Sequence, residues 1–211
     1  MKAIIICNGR VENYLYYEKY VKNADLIICA DGGATHAKKL GLKPDVLLGD
    51  FDSLKEDDFS YFNKMDIEIL KFPPKKDMTD SELTVEHAME KGCDFIVLIG
   101  ALGSRADHSL ANVMLLRKML DRGVKGLIVD ENNEITLIND RIVLEGNSNT
   151  NVSLIPITEK VEGVTTKGLY YPLQNATIEM GSTWGISNRF ICDRAEVSIT
   201  SGLMLVVKSI D

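Results

Sequence analysis

Leu26-Ile27-Ile28-Cys29-Ala30-Asp31-Gly32-Gly33-Ala34 decides how the chain is read, because five consecutive apolar residues end on a carboxylate and two glycines lead into a helical stretch. An unbroken apolar run suits a strand covered on both faces, as in a parallel sheet; a half-exposed strand would alternate. The same texture recurs outward from this point. Apolar runs at 3–7, 26–30, 45–48, 68–72, 95–99 and 126–129 are expected strands, and 34–40, 55–63, 80–91 and 107–121 are expected helices. In the last helix Leu110, Val113, Met114, Arg117 and Leu120 follow three-and-four spacing, which predicts the stripe that docks on the sheet. Strands alternating with helices predict an α/β domain with a mostly parallel sheet and flanking helices over residues 1–130.

Beyond residue 130 the period shortens to two, as at 134–138, 152–157, 195–200 and 204–208, with Gly, Asn and Pro between the segments. Residues 131–211 are therefore expected to form a small antiparallel β domain. Aspartate divides unevenly between the halves, fourteen of seventeen lying before residue 131, so carboxylate chemistry belongs to the first. Twenty-four Lys+Arg against thirty-one Asp+Glu give a net charge of −7, which repels a phosphate backbone and argues against a nucleic-acid partner. No apolar run approaches the ~20 residues of a membrane span and the N-terminus has no leader-like pattern, so a cytoplasmic chain with no membrane partner is expected. Cys7, Cys29, Cys93 and Cys192 form no CxxC pair, and His36, His87 and His108 are far apart, which disfavours disulfides and structural zinc.

Ligands of open α/β sheets gather beyond the carboxyl ends of the strands. Four successive expected strand ends carry aspartate: Asp31-Gly32-Gly33, Gly49-Asp50-Phe51-Asp52-Ser53, Lys75-Lys76-Asp77-Met78-Thr79-Asp80, and Gly100-Ala101-Leu102-Gly103-Ser104-Arg105-Ala106-Asp107-His108. In an extended segment Asp50 and Asp52 leave one face and Phe51 the other. Two carboxylates ~4 Å apart repel by roughly 4 kcal/mol at an effective dielectric near 20, and a divalent cation relieves that repulsion. Magnesium suits such a pair because it keeps open positions for phosphate oxygens. The competing reading is an aspartate-capped turn.

Each of the other residues also has a purely structural reading. Thr79 and Glu82 have capping-box spacing, with Glu82 reaching back, and Asp80 suits the helix dipole. Asp107 reads either as the N-cap of its helix or as part of an acidic site. His108 and Asn112 share a face away from the apolar stripe and form either a polar surface or a site wall. Arg105 offers a forked cationic donor after a glycine-bearing loop that is not a Walker motif. Trp184, the only tryptophan, lies in Gly181-Ser182-Thr183-Trp184-Gly185-Ile186-Ser187-Asn188 and is either a core residue or a platform for a flat cation. A metal-dependent phosphohydrolase using the same carboxylates and a nucleotide-binding regulatory module with a degenerate site are the rival functional classes.

Taken in order, Ala30-Asp31-Gly32-Gly33-Ala34, Pro44-Asp45 with Gly49-Asp50-Phe51-Asp52-Ser53, Lys76-Asp77 with Thr79-Asp80, Gly103-Ser104-Arg105 with Asp107-His108 and Asn112, Gly168-Leu169 with Tyr171-Pro172-Leu173, and Gly185-Ile186-Ser187-Asn188 resemble the bacterial thiamin pyrophosphokinase family. The resemblance implies an α/β catalytic domain followed by an antiparallel β-sandwich that binds thiamin. It implies Mg²⁺-dependent transfer of pyrophosphate from ATP to the thiamin hydroxyl, and a homodimer whose site is shared between subunits. By that likeness Asp50, Asp52 and Asp80 are the catalytic, metal-binding carboxylates. Asp31, Gly32, Gly33, Lys76, Asp77, Thr79, Arg105, Asp107, His108 and Asn112 surround the nucleotide, and Trp184, Ser187 and Asn188 line the thiamin pocket. Ser104 stands where the family usually has glycine, and Arg189 where it often has an acidic residue.

Overall fold

The computed structural model describes residues 1–73, 75 and 77–210, and the chain divides into two compact units, Met1–Glu131 and Asn132–Asp211. In the first, β1 (Lys2–Ile6), β2 (Leu26–Ala30), β3 (Val46–Gly49), β4 (Glu68–Lys71), β5 (Phe95–Ile99) and β6 (Lys125–Val129) pair in parallel in the order β4-β3-β2-β1-β5-β6. The expected strands are present to within a residue or two. A 3₁₀ turn at Tyr14–Tyr17 running into the short helix α1 (Glu18–Val21) fills a segment where the apolar pattern predicts nothing.

Alternate side chains of the strands face opposite layers. Ile4, Ile6, Cys29, Leu47, Val97 and Ile99 pack with Tyr17, with Ala34 and Ala37 of α2 (Gly33–Lys39), and with Phe62 of α3 (Glu56–Phe62). Helices α4 (Asp80–Glu90) and α5 (Ala106–Asp121) also pack against the sheet, α4 against β1, β2 and β3 and α5 against β6. The buried stripe of α5 is Asn112, Leu115, Leu116 and Met119. Leu110 and Met114, expected to dock, are 63 % and 48 % exposed. Two features account for the difference. Gly126 on β6 leaves room for Leu116 and Met119, whose atoms would lie 2.6–3.1 Å from a Cβ there. Asn112 can also be buried because its amide donates to the Ala101 carbonyl at 2.7 Å.

Between α2 and α3, Asp58 is 7 % exposed and accepts Lys38 Nζ at 2.6 Å and Thr35 Oγ1 at 2.7 Å. The lysine and then the hydroxyl hold its carboxyl below the usual carboxylate range. The stabilisation is therefore complete above the unfolded carboxyl's range and lost as pH falls through the depressed folded value. Asp58→Asn is expected to lower stability at neutral pH by about 1–3 kcal/mol and to flatten the acid limb of a melting-temperature profile. An unchanged acid limb would refute this.

In the second unit, β7 (Asn133–Ile138), β9 (Asn151–Pro156), β12 (Asn188–Arg189) and β14 (Met204–Ser209) form an antiparallel sheet ordered β12-β9-β14-β7. A second antiparallel sheet, β11-β10-β13-β8, is built from β8 (Arg141–Glu145), β10 (Lys160–Lys167), β11 (Ala176–Glu179) and β13 (Arg194–Ser198). Val152, Leu154, Met204 and Val206 of the first sheet meet Leu144, Val161, Val164, Ile178, Ala195 and Val197 of the second in one core, which makes the unit a sandwich. No helix among the described residues is long and apolar enough to cross a membrane.

Candidate active site

Strand order reverses at β1, which has β2 on one side and β5 on the other, and beyond the carboxyl ends of strands at such a switch point open α/β sheets bind their ligands. A cavity of about 550 Å³ lies there. The β1 end contributes Cys7, Asn8 and Gly9, the β2 end Asp31, and the β3 end Asp50, Asp52 and Ser53. The head of α4 adds Thr79, Asp80 and Ser81, and the loop at 100–105 leads to His108, Ser109 and Asn112.

β3 stops at Gly49, and Asp50 and Asp52 do not lie on an extended segment as the two-residue spacing suggests. They converge through a turn in which Phe51 takes a left-handed φ of 65° and packs against Phe59, while the Asp52 N–H donates to Asp50 Oδ1 at 3.2 Å. Asp31 is left-handed as well, at φ 47°. Such conformations cost ~1–3 kcal/mol each outside glycine and persist only where the surroundings impose them. Here the result is that carboxylate oxygens of Asp31, Asp50 and Asp52 all lie within 4.8 Å of one another.

The charge of Asp50, then burial and the charges of Asp31 and Asp80, raise the Asp52 carboxyl above its usual range. Asp31 is nearly buried; Ser53 Oγ donates to its Oδ2, and Asn8 Nδ2 donates to Ser53 Oγ at 3.1 Å. Its Oδ1 has no hydrogen-bond partner among the described residues. An orphaned buried oxygen beside two mutually repelling carboxylates is the donor set a hard divalent cation satisfies, so the residues present fit a metal ion. Asp80, which the resemblance counts with Asp50 and Asp52, lines the same cavity but stands outside this group of three.

Several other expected residues take different places. Thr79 caps α4, accepting the Glu82 N–H at 3.2 Å, but the Glu82 carboxylate turns to Lys118 Nζ at 2.6 Å instead of closing a capping box. Arg105, at the N-cap position of α5, lines the cavity and holds Asp107 through Nη2 at 2.6 Å. Asp107 is thus a first-turn residue and not the cap; it is exposed, held at about 2 by Arg105, and not among the cavity residues. His108 and Asn112 both line the cavity, as a site wall would, with Asn112 on the buried side of α5.

Gly32 and Gly33 do not line the cavity, and a Cβ on Gly33 would fall 2.0 Å from the Ile6 carbonyl oxygen, so Gly33 serves the contact between α2 and β1. Asp77 is exposed outside the lining, and Lys76 lies outside the described residues. Cys7, Cys29 and Cys93 are buried free thiols and Cys192 is an exposed one. Burial pushes the cavity-lining Cys7 thiol up to about 11, which keeps it protonated and inert. Asn8, Gly9, Ser53 and Ser109 are wall residues that sequence reasoning missed. Applying the strand-end rule to β1 finds the first two.

In the second unit Trp184 is 60 % exposed and so is not a core residue. Ser187 is exposed with φ 58°, and its N–H donates to Ser153 Oγ at 3.0 Å. Asn188 is buried, its amide both donating to the Tyr171 carbonyl at 2.7 Å and accepting the Tyr171 N–H at 2.9 Å. It therefore clamps the 170–171 segment. Arg189 stacks its guanidinium over Tyr170 at 4.3 Å, a local use for that charge.

Comparison with known proteins agrees with this layout. Residues 17–128 match the model of the thiamin pyrophosphokinase catalytic domain, and residues 139–204 match that of the thiamin pyrophosphokinase vitamin B1 binding domain. A thiamine pyrophosphokinase of Bacillus subtilis is 32 % identical, with the whole of both chains covered. Crystal structures of thiamine pyrophosphokinases superpose with TM-scores of 0.91 for Bacillus subtilis (29 % identity, all of both chains) and 0.87 for Geobacillus thermodenitrificans (31 % identity, 100 % of this chain and 98 % of the other). Matched in both halves and along its full length, the chain belongs to the thiamin pyrophosphokinase family.

Proposed function

We propose that the cavity at the strand ends of residues 1–131 transfers the pyrophosphoryl group of ATP to the hydroxyl of thiamin, giving thiamin diphosphate and AMP, with Mg²⁺ as the metal. The observation that carries this reading is the group of Asp31, Asp50 and Asp52 with its unpaired buried oxygen. Asp50 and Asp52 would hold the ion together with Asp31, and Asp80 adds its charge to the same cavity. When bound, magnesium supplies charge neutralisation and orientation for the triphosphate tail.

The protein's own groups do the remaining work. Arg105 presents a fixed cation at the cavity wall, where Asp107 keeps its guanidinium in place. We assign Asp80, outside the tight group, to receive the proton of the attacking hydroxyl. The thiamin oxygen bonds to the β-phosphorus in line as the bond from that phosphorus to the bridging oxygen breaks and AMP departs. Positioning and charge stabilisation suffice for such chemistry. Trp184, with Ser187 beside it and Asn188 holding Tyr171, is assigned to the thiamin-binding loop, an aromatic face being suited to the cationic thiazolium.

On the family likeness we further infer a homodimer in the cytoplasm, the dimer being open to a sedimentation test. Mass analysis after mixing the chain with ATP, Mg²⁺ and thiamin tests the reaction. AMP must appear only with thiamin present; release without the vitamin would favour a phosphohydrolase. Trp184→Ala, at an exposed position, is expected to leave stability unchanged and to raise the KM for thiamin about tenfold, the worth of one desolvated cation–π contact. An equal rise in the KM for ATP would remove Trp184 from the vitamin site.

A further inference from the structure

The loop after β1 forms one wall of the cavity, and two of its lining residues, Asn8 and Gly9, reach in different directions. Asn8 leads through Ser53 to Asp31. Gly9 abuts the wall across the crevice: its N–H donates to the Gly100 carbonyl at 2.7 Å, and the Arg10 N–H donates to the Leu102 carbonyl at 2.9 Å. A Cβ on Gly9 would lie 2.3 Å from both of those carbonyl oxygens, so the two walls touch backbone to backbone. Whatever fixes Gly9 therefore fixes the spacing between the acidic group and the loop at 100–105.

The Gly9 carbonyl is held from outside the cavity. His36 on α2 places Nε2 2.9 Å from that oxygen and Nδ1 2.9 Å from the Tyr14 hydroxyl. A carbonyl only accepts, so Nε2 carries the proton and Nδ1 accepts from Tyr14. Burial lowers the pKa of His36, in keeping with a neutral ring. Farther along, the Glu131 carboxylate takes the Glu12 and Asn13 N–H groups at 2.7 and 2.9 Å, fastening the far end of the same loop. Neither His36 nor Tyr14 lines the cavity.

We infer that His36, oriented by Tyr14, is a positioning residue for the nucleotide: it braces Gly9 and so sets the gap between the carboxylates and the 100–105 wall in which the triphosphate lies. The inference rests on the reading that this cavity takes Mg²⁺ and ATP. It predicts an effect on ATP alone, since Gly9, Tyr14 and His36 belong to the unit that carries the cavity and the tryptophan loop belongs to the other.

The test compares wild type, Tyr14→Phe, His36→Gln and His36→Leu by steady-state kinetics with each substrate varied, by calorimetric binding of ATP with Mg²⁺, and by thermal melting. His36→Leu strands the Gly9 carbonyl and is expected to weaken ATP, in KM and in binding, about tenfold while the KM for thiamin stays within about twofold. His36→Gln, which keeps an N–H for Gly9, recovers most of the loss, and Tyr14→Phe shows a partial one, about threefold. ATP binding within about twofold of wild type in His36→Leu, equal rises for both substrates, or glutamine no better than leucine would each overturn the brace. If His36→Leu does not fold, Tyr14→Phe, which removes a single hydroxyl, decides the matter by the same ATP-specific loss. A wild-type chain that binds ATP yet makes no thiamin diphosphate would sink the proposed reaction, while the binding comparison still judges the brace.

Discussion

Asp52→Asn is expected to fold normally and to lose thiamin-dependent AMP formation by about a hundredfold to a thousandfold, the usual toll of deleting one electrostatic element of a transfer site. The side chain is exposed, so the amide replaces it without a packing defect. Its carboxyl is raised first by Asp50 and also by Asp31 and Asp80, so the native group is repelled by its neighbours when no cation is present. Removing one negative charge therefore leaves the metal-free protein at least as stable as before. Added Mg²⁺ should raise the melting temperature of wild type and leave the variant nearly unmoved. Near-normal turnover, or an undiminished Mg²⁺ response, would dissolve the metal site proposed for these carboxylates.

Gly33→Ala is expected to have the largest effect on stability. The new Cβ would sit 2.0 Å from the Ile6 carbonyl oxygen and 2.7 Å from its carbon, in the strand paired on both sides by β2 and β5. That backbone has no freedom to move aside, unlike the tip of a flexible side chain. Overpacking of this kind costs about 1–3 kcal/mol or more, and for a chain of this size the melting temperature falls by roughly 2–4 °C per kcal/mol. The folded fraction should bind ATP as wild type does, because Gly33 does not line the cavity. A stable variant with a weakened nucleotide site would instead return Gly33 to the ligand.

Sequence alone places the sheet well because a buried parallel strand leaves a run of apolar residues that few other structures need. It also points to the acidic edge, since two of those runs stop just before Asp31 and before Asp50 and Asp52, whose carboxylates the structure brings together. What escapes it has identifiable causes. Asn112 is polar by type, so it drops out of any apolar stripe, although one bond to Ala101 lets it face inward and shifts the docking face of α5 to Leu115, Leu116 and Met119. The left-handed turn at Phe51 is unforeseeable from a bulky residue that ordinarily avoids it, and with the one at Asp31 it gathers the three carboxylates. Glu82 has the spacing of a capping partner, but a lysine thirty-six residues away competes for it. The family resemblance supplied thiamin and ATP, which no periodicity contains.

The position of β1 has a consequence for biosynthesis. It is the first strand made, yet one of its two neighbours, β5, ends only at Ile99. A nascent chain can zip β1, β2 and β3 together early, but it carries an unsatisfied edge until about a hundred residues have left the ribosome, a lag set by the sequence separation of the pairing. The cavity wall that follows β5 is thus the last of its walls to be made, and a chain interrupted before that point emerges without a complete binding cleft.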